Sequence, residues 1–593
     1  MSPSARPAPD VPARNLTAGL VLAVALPVMV AGLRVAAGGW NPTIDDATIV
    51  TRSYDVLSTR SPLLGQFSIA AKTGTTPAHS PGPMLYWLLS IPARFGPSWL
   101  LPVFIAAVNT VLIGAVVILA RRRAGLTFAA FTAIGIILLV RSIGPVVLTE
   151  VWNPWAALMP FLLMMFLTWS IADGERRLLP WLVLVASFAM QAHLTYAMPT
   201  VALGLVALAG GWGPQLRQAV TGPRSTLRAL RAERADGAGD VVDAPAEAEP
   251  VRRRLPGPLV LAVLVGLACW AAPLVQQFTG HPGNLSVVLD AGSNATRRGG
   301  LKAVRASFAR SVGTPPRWMR PSRLPIHDIL EGLNPHGLLG LLTGLIVVAL
   351  LVVIVLLAVR RRDRVVIAGG ATAFALLIGM AGVAFTLPLD RGLVVGYAFE
   401  WFRIAGLFVW LLVGLGIGRA WLATRPERAR SASTVGSVAA HPELAAVRPI
   451  TVGLLGVSGL AVVAVGLMLP LHDPSAWTYA PGHKLDAVVD AGTRPGGRYL
   501  VGPNAYDVAF SPAVVWRLRT TGRYPYVSEQ KVAAWGDGYR PTGRRCAGIV
   551  TLLKPDEPLP RGGRSLADIA IPNGPELPPS MRVVLAPDPG RSC

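Results

Sequence analysis

The sequence predicts a polytopic α-helical membrane protein that carries a small α/β domain at its C-terminal end. Three observations lead there. The 593-residue chain is 52% hydrophobic and only 15% charged, where soluble proteins carry about 25% charged residues. It contains repeated uninterrupted apolar runs of the roughly 20 residues that a bilayer crossing needs. After residue 471 the long apolar runs stop, and short strand-like and helix-like runs alternate with Pro- and Gly-rich turns. A net charge of +23 would suit a nucleic-acid binder, but the basic residues cluster in short turns between apolar runs, as orientation signals do. Nucleic acid is therefore not an expected partner; the bilayer is. Arginine far outnumbers lysine, and Ala, Gly and Pro are abundant, the composition of a high-GC bacterial chain.

Residues 1–14 are polar and Pro-rich, an expected disordered cytoplasmic N-terminus. The membrane region then runs over 15–470. Its first apolar segment, Leu16 to Ala37, reads as an uncleaved helix rather than a signal peptide, since the run is long and many spans follow. Arg14 before it places the N-terminus inside. The first outer loop follows at 38–98. Spans are expected near 99–120 and 124–141, joined by Arg121-Arg122-Arg123 on the inside, and another from about Trp155 to Ser170, ending at the charged turn Asp173 to Arg177. The apolar stretch 180–211 is too long for one simple span and is interrupted by Gln191, His193 and Pro199, so it reads as two short spans with an outer hairpin. A cytoplasmic linker, expected to be disordered, covers 212–256. Leu259 to Val275 is a span, and 276–335 an outer loop in which Leu301, Val304, Phe308 and Val312 recur at helical spacing. That pattern predicts an amphipathic helix lying on the membrane or packed on neighbouring loops. Further spans are Gly337 to Val359, stopped by Arg360 to Arg364, then 365–386, 401–420 and 450–470, with a cytoplasmic loop at 421–448. The total is about 11 spans, which leaves the C-terminal region outside.

Residues 471–593 form the expected extracytoplasmic α/β domain, with strands near Tyr499 to Val501, Gly548 to Leu553 and Arg582 to Leu585 and a helix near Ala513 to Leu518. Cys546 and Cys593 both lie in it, and an oxidising compartment would allow them to pair; two free thiols fit the sequence equally well.

Ionisable groups in or beside membrane spans are costly and mark function. Those expected at outer span ends are Asp45, Asp46, Arg52, Lys72 and His79 from the first loop, Arg141, Glu150 and Asn153 after the third span, Gln191 and His193 from the hairpin, and Glu400 and Arg403 at the tenth span. Each also has a structural reading: Asp45 or Asp46 as an N-cap of a helix starting near Ala47, His193 as a buried core histidine, Arg141 and Arg403 as snorkelling side chains.

The acidic pair Asp45-Asp46 after the first span, the His79 and Pro81-Gly82-Pro83 stretch leading into Leu85-Tyr86-Trp87-Leu88-Leu89, and the Trp152-Asn153-Pro154 and Gln191-Ala192-His193 pieces together resemble GT-C membrane glycosyltransferases. That group includes protein mannosyltransferases, aminoarabinose transferases and mycobacterial arabinosyltransferases. The resemblance covers about the first 200 residues by motif and the rest by architecture. It implies a GT-C-like helical domain in a bacterial plasma membrane, transferring a sugar from a polyprenyl-phosphate donor to an envelope glycan, lipid or protein. Asp45 or Asp46 is then the expected general base. Arg52, Lys72, Arg141 and Arg403 are expected on the lipid phosphate, because guanidinium forks match phosphate oxygens. His79 and His193 are expected to orient the donor phosphate or the acceptor. Glu150, Asn153 and Glu400 complete the substrate-binding set. A divalent metal, Mg or Mn, is a further option on Asp45, Asp46 and Glu150 with a histidine. A lipid or polysaccharide flippase, or a non-catalytic subunit of an envelope-assembly complex, are the alternatives. No sequence motif resembles a P-loop, a zinc site or a serine-hydrolase elbow.

Overall fold

The structure, a computed structural model, describes residues 11–73, 76–213, 257–293, 298–320, 338–388, 396–423 and 473–593 apart from 474, 503–505, 507, 573, 575–576 and 591–592. Most of the expected linker and of the loop 421–448, the stretch 321–335 of the 276–335 loop and the expected span at 450–470 therefore lie outside the described residues. Among those described, 8 helices are long and apolar enough to cross a membrane: Arg14–Ala37, Leu100–Ile143, Asn153–Ala172, Leu194–Gly213, Gly257–Thr279, Leu338–Arg361, Arg364–Thr386 and Trp401–Trp421. The chain is a polytopic helical membrane protein with a small sheet domain at its C-terminal end.

The 44-residue helix Leu100–Ile143 is not one span. Ala124 and Gly125 leave helical geometry inside it, and Gly125 takes φ +84°, a value cheap only for glycine. The two halves fold back on each other, since Asn109 in the first donates to the Leu148 carbonyl just beyond the second (2.7 Å). The tight turn expected at Arg121 to Arg123 thus exists, displaced to the following Ala-Gly pair. The stretch 180–211 divides as its interruptions imply, into Leu179–Ala192 and Leu194–Gly213, with His193 extended between them (φ −155°, ψ 135°). The helix 158–172 lies at the centre of the core and is buried on nearly every side. Its neighbours surround it, and 338–361 turns a row of leucines, isoleucine and valines outward, as a lipid-facing helix does.

One end of the bundle gathers charge. Arg123 reaches both Asp173 and Glu175 at 2.7 Å, and Arg419 meets Asp363 at 2.6 Å, while Asp363 also caps the helix 364–386 through the Val366 N–H. These are the arginine-bearing turns of the sequence, now on a common face. The loops 38–99, 144–152 and the bend at His193 lie at the opposite end.

The amphipathic segment forms the helix Gly300–Ser311, whose inner side holds Ala303, Ala306, Ser307 and Ala309 together with Val304, Phe308 and the following Val312 of the expected stripe, packed on helices 338–361, 364–386 and 401–423. Leu301 stays exposed. Small residues share the inner face because they let backbones approach: a Cβ on Gly313 would lie 2.0 Å from the Gly340 carbonyl oxygen. The segment is packed against the helical bundle, in place of lying free on a membrane surface.

The first loop is a helix (α1, Ile44–Tyr54), a hairpin (β1, Phe67–Thr73; β2, Thr76–His79) and a helix (α2, Met84–Phe95). The C-terminal domain holds a mixed five-stranded sheet of β3 (Arg498–Val501), β4 (Tyr524–Val527), β5 (Gly548–Leu553), β6 (Arg564–Ala570) and β7 (Ser580–Ala586), in the order β4-β3-β5-β7-β6. The first three strands are parallel; β7 runs antiparallel to β5 and β6. Every strand and helix read from the sequence there is present, and the sheet covers its own apolar core. Cys546 and Cys593 are paired.

The C-terminal domain is docked on the first loop. The Ile44 N–H donates to the Ala509 carbonyl (2.9 Å), Thr43 and Thr478 hydroxyls meet at 2.7 Å, and Asn41 donates to Asp486 (3.2 Å). The centre of the contact is Asp55, whose side chain is 0% exposed and takes Arg52 at 3.1 Å and Arg519 at 2.8 Å, together with the Tyr539 hydroxyl at 2.7 Å. Removing one partner of a buried, hydrogen-bonded ion pair typically costs about 3–5 kcal/mol, because the remaining charges lose their compensation. Asp55→Ala is therefore expected to lower the unfolding temperature of the full chain in detergent and expose the C-terminal domain to limited proteolysis. An unchanged melting curve and cleavage pattern would rule out this ion cluster as the clamp.

Candidate functional site

The acidic pair sits in the first turn of α1, where the helix dipole favours negative charge. Neither aspartate caps the helix: the cap position is Thr43, without a side-chain cap bond. Ile44 begins the helix at φ +50°, a left-handed conformation that is strained for a β-branched residue and costs of order 1–3 kcal/mol. The Ala509 contact described above holds it there, so docking of the C-terminal domain sets how the next two side chains leave the backbone.

Asp45 accepts from the Trp152 indole N–H (3.0 Å) and from the Gln66 amide (3.4 Å). Gln66 in turn accepts from the Tyr86 hydroxyl (3.2 Å). Burial raises the Asp45 pKa, and these two donors pull it back. Asp46 has no hydrogen bond among the described residues. Burial, then the charges of Asp45 and Asp473, push it up from the ordinary value of 3.8 to about 8. Glu150 is raised well above the ordinary range by burial and by the charges of Asp46 and Asp473, and its Oε1 is buried without a partner. Asp473 is held by the Tyr479 hydroxyl (2.6 Å) and the Ser475 N–H (2.9 Å). Four carboxylates from three distant parts of the chain thus repel one another in one place.

Of the residues expected here, the structure brings Asp45, Asp46 and Glu150 together, with His193 close by through the rings of Trp152 and Tyr397. Trp152 and Tyr397 centroids lie 4.6 Å apart, and those of Tyr397 and His193 5.4 Å. Burial holds His193 neutral, its pKa pushed down to about 4. The others are used elsewhere. Arg403 is fully buried (0% side-chain exposure), bound to Glu400 at 2.8 Å and to the Ser142 carbonyl at 2.7 Å, and Arg317 closes on Glu400 at 3.1 Å. This corrects the expectation that Arg403 takes a lipid phosphate: its guanidinium is consumed inside the protein, and Glu400 is its counter-ion. Arg52 likewise is committed to Asp55. His79 faces the Ala533 carbonyl (2.9 Å), and its backbone N–H donates to, and its carbonyl accepts from, the Asn284 side-chain amide, so it fastens the hairpin instead of facing the carboxylates. Asn153 donates to the Ala192 carbonyl (2.8 Å) and Gln191 to the Cys269 carbonyl (2.8 Å), both ties between segments. Arg141 is exposed. Lys72 lies in β1, opposite Pro77; its side chain is outside the described residues.

Sequence reading missed Gln66, Trp152 as a hydrogen-bond donor, Asp473 and Tyr479. Asp473 had a signal, an acid just beyond the last apolar run. Nothing in the sequence pairs it with residue 46. Among the described residues no three His, Cys, Asp or Glu side chains are arranged to hold a metal ion. The Mg or Mn option would need the carboxylates to close further on one point.

The fold keeps a proton on Asp46 far above its ordinary range, so the Asp46 contribution to native stability is fully present at acid pH. It declines from about pH 4 to about 8 as the unfolded chain gives up that proton first. Thermal unfolding of the full chain in detergent should show this decline, and Asp46→Asn should flatten it. A native profile that rises over the same range would contradict the cluster. Comparison with known proteins finds no matching family model, no matching curated protein and no matching solved structure, so the role of this site is read from its own chemistry.

Proposed function

We propose that the protein is a membrane glycosyltransferase of GT-C type, transferring a sugar from a polyprenyl-phosphate donor to a cell-envelope acceptor. The observation that carries the reading is the convergence of Asp45, Asp46, Glu150 and Asp473 at one end of an apolar helical bundle, beside half-buried aromatic rings. A lipid-borne donor delivers its sugar at that level of the membrane.

Orientation has two independent supports. The turns holding Arg121 to Arg123, Arg176 to Arg177 and Arg360 to Arg364 lie together at the end away from the carboxylates, and positive charge favours the cytoplasmic side. The domain docked at the carboxylate end contains the Cys546–Cys593 disulfide, and disulfides persist in oxidising, extracytoplasmic compartments. On this reading the carboxylates face outside. With the Leu100–Ile143 helix counted as two passes, the short helix 179–192 as one and the 450–470 run as one, the chain crosses about 11 times, with its N-terminus in the cytoplasm of a bacterial cell and its C-terminal domain in the envelope.

In the reaction, an acceptor hydroxyl attacks the anomeric carbon as the bond to the lipid phosphate breaks. The hydroxyl proton passes to a carboxylate, and the phosphate leaves as an anion with inversion at carbon. Asp46 suits the proton-accepting part, since it is unbonded and its pKa of about 8 matches a base working near neutral pH. Asp45, gripped by Trp152 and Gln66, suits the task of orienting the acceptor. Arg141, exposed and with no partner among the described residues, is the cation left to meet the leaving phosphate from the set expected there.

General-base catalysis contributes about 10²–10⁴-fold. Asp46→Asn is expected to lower transfer from a polyprenyl-phosphate-linked pentose or hexose by about 100-fold or more while the protein still folds and inserts. In the native protein the rate should climb with pH up to about 8. Full transfer by both Asp45→Asn and Asp46→Asn would falsify the assignment.

A further inference from the structure

Four rings form a chain along the carboxylate cluster. Trp155 and Trp152 centroids are 4.8 Å apart, Trp152 and Tyr397 4.6 Å, and Tyr397 and His193 5.4 Å, every pair edge to face. They come from three separate segments: the short helix 153–156 and the residue before it, the bend between helices 179–192 and 194–213, and the turn before helix 401–423. All four are only partly buried, unlike Trp169, Trp401 and Phe161, which are fully enclosed in the helical core. The chain is also tied to the acids, because the Trp152 N–H holds Asp45 at 3.0 Å.

Polar groups along this wall lack partners. The Trp155 indole N–H is buried and unpaired, and so is the Glu150 Oε1. His193 accepts the Thr195 N–H on Nδ1 (3.4 Å) and meets the Thr195 hydroxyl on the same atom (2.9 Å). The neutral ring therefore carries its proton on Nε2, and that N–H has no partner among the described residues. Buried polar groups are nearly always satisfied, and an unsatisfied one costs about 1–3 kcal/mol. The buried Trp155 donor and Glu150 acceptor, with the Nε2–H of the partly exposed His193 beside the same aromatic wall, ask for a ligand with hydroxyls at its edge and C–H groups on its face. Aromatic faces are negative and attract polarised C–H groups. Lipid tails lack the hydroxyls, and a bare phosphate lacks the C–H face.

We propose that Trp155, Trp152, Tyr397 and His193 form a sugar subsite that packs on the C–H face of a neutral glycosyl ring, with the Trp155 N–H, the His193 Nε2–H and Glu150 taking its hydroxyls. The subsite rests on the transfer reading only for its place in a reaction; the binding it describes does not require turnover. In this arrangement the ring lies beside Asp45 and Asp46, so a sugar hydroxyl or anomeric carbon is presented to the carboxylates.

The test uses the full chain in detergent and saturation-transfer NMR with methyl α-arabinofuranoside, methyl α-mannopyranoside and methyl α-glucopyranoside at millimolar concentration. At least one should receive saturation from the native protein, strongest on ring C–H protons. The signal should fall about fivefold or more in Trp155→Ala and in Tyr397→Ala. Trp155→Phe keeps a ring in place and removes the N–H, so a partial loss there separates hydrogen bonding from misfolding. Native-strength signal in Trp155→Ala and Tyr397→Ala, or no signal with any of the three glycosides, overturns the subsite. Ring-dependent glycoside binding with no transfer by the native protein would keep the subsite and remove the transferase reading; transfer that survives both aromatic substitutions would do the reverse.

Discussion

One buried carboxylate carries much of the architecture. Asp55 ends the helix that bears the acidic pair, and it gathers Arg52, Arg519 and Tyr539 from both sides of the contact between the first loop and the C-terminal domain. A fully buried charge is tolerated only with compensation of this kind. Docking follows from it, and docking has consequences at the site. The Ala509 carbonyl holds the strained Ile44, and Tyr479 reaches Asp473. The domain at the end of the chain therefore forms part of the carboxylate cluster as well as covering the loop.

The cluster itself is a local conflict. Three elements far apart in sequence bring negative charges together in a poorly solvated place, and burial with the neighbouring charges raises the proton affinity of Asp46 and Glu150. Elsewhere the same protein pairs its buried charges with care. Arg403 meets Glu400 and Ser142; Arg123 meets Asp173 and Glu175; Arg419 meets Asp363. Perturbed, uncompensated ionisable groups concentrate at functional sites, and here the contrast lies within one molecule. At the arginine-rich end the buried acids are paired, while the acid-rich end is left poised, with aromatic rings and unpaired polar atoms beside it.

Several readings from sequence survive contact with the structure because their physical signal is local. Glycine and proline spacing, apolar periodicity and a change in composition located the strands at 498–501, 548–553 and 580–586 and the break at His193. The acidic pair was legible for the same reason: two carboxylates next to an apolar run are conspicuous. Arg403 was misread because a charge at a span end looks the same whether it faces a ligand or a buried glutamate three residues earlier. His79 was misread because its partner, the Ala533 carbonyl, is 454 residues away. On the helix 300–311 small residues share the inner face with Val304 and Phe308, and Val312 just beyond it is buried, so of the apolar stripe only Leu301 stays outside.

What the chain determined by itself was its solvent. Long apolar runs, the charge clusters that end them and a polar, turn-rich tail decide which segments enter lipid and which remain in water, because transfer energies depend on composition within one run. What only the tertiary structure decided was the company each polar group keeps. Asp46 and Asp473 are 427 positions apart by their numbering in one chain, and no local rule joins them. Their repulsion, the rings of Trp155, Trp152, Tyr397 and His193 in file, and the withdrawal of Arg52 and Arg403 from the site all arise from packing across distant segments. Electrostatics and hydrogen bonding act over a few ångströms of space, whatever the separation along the backbone.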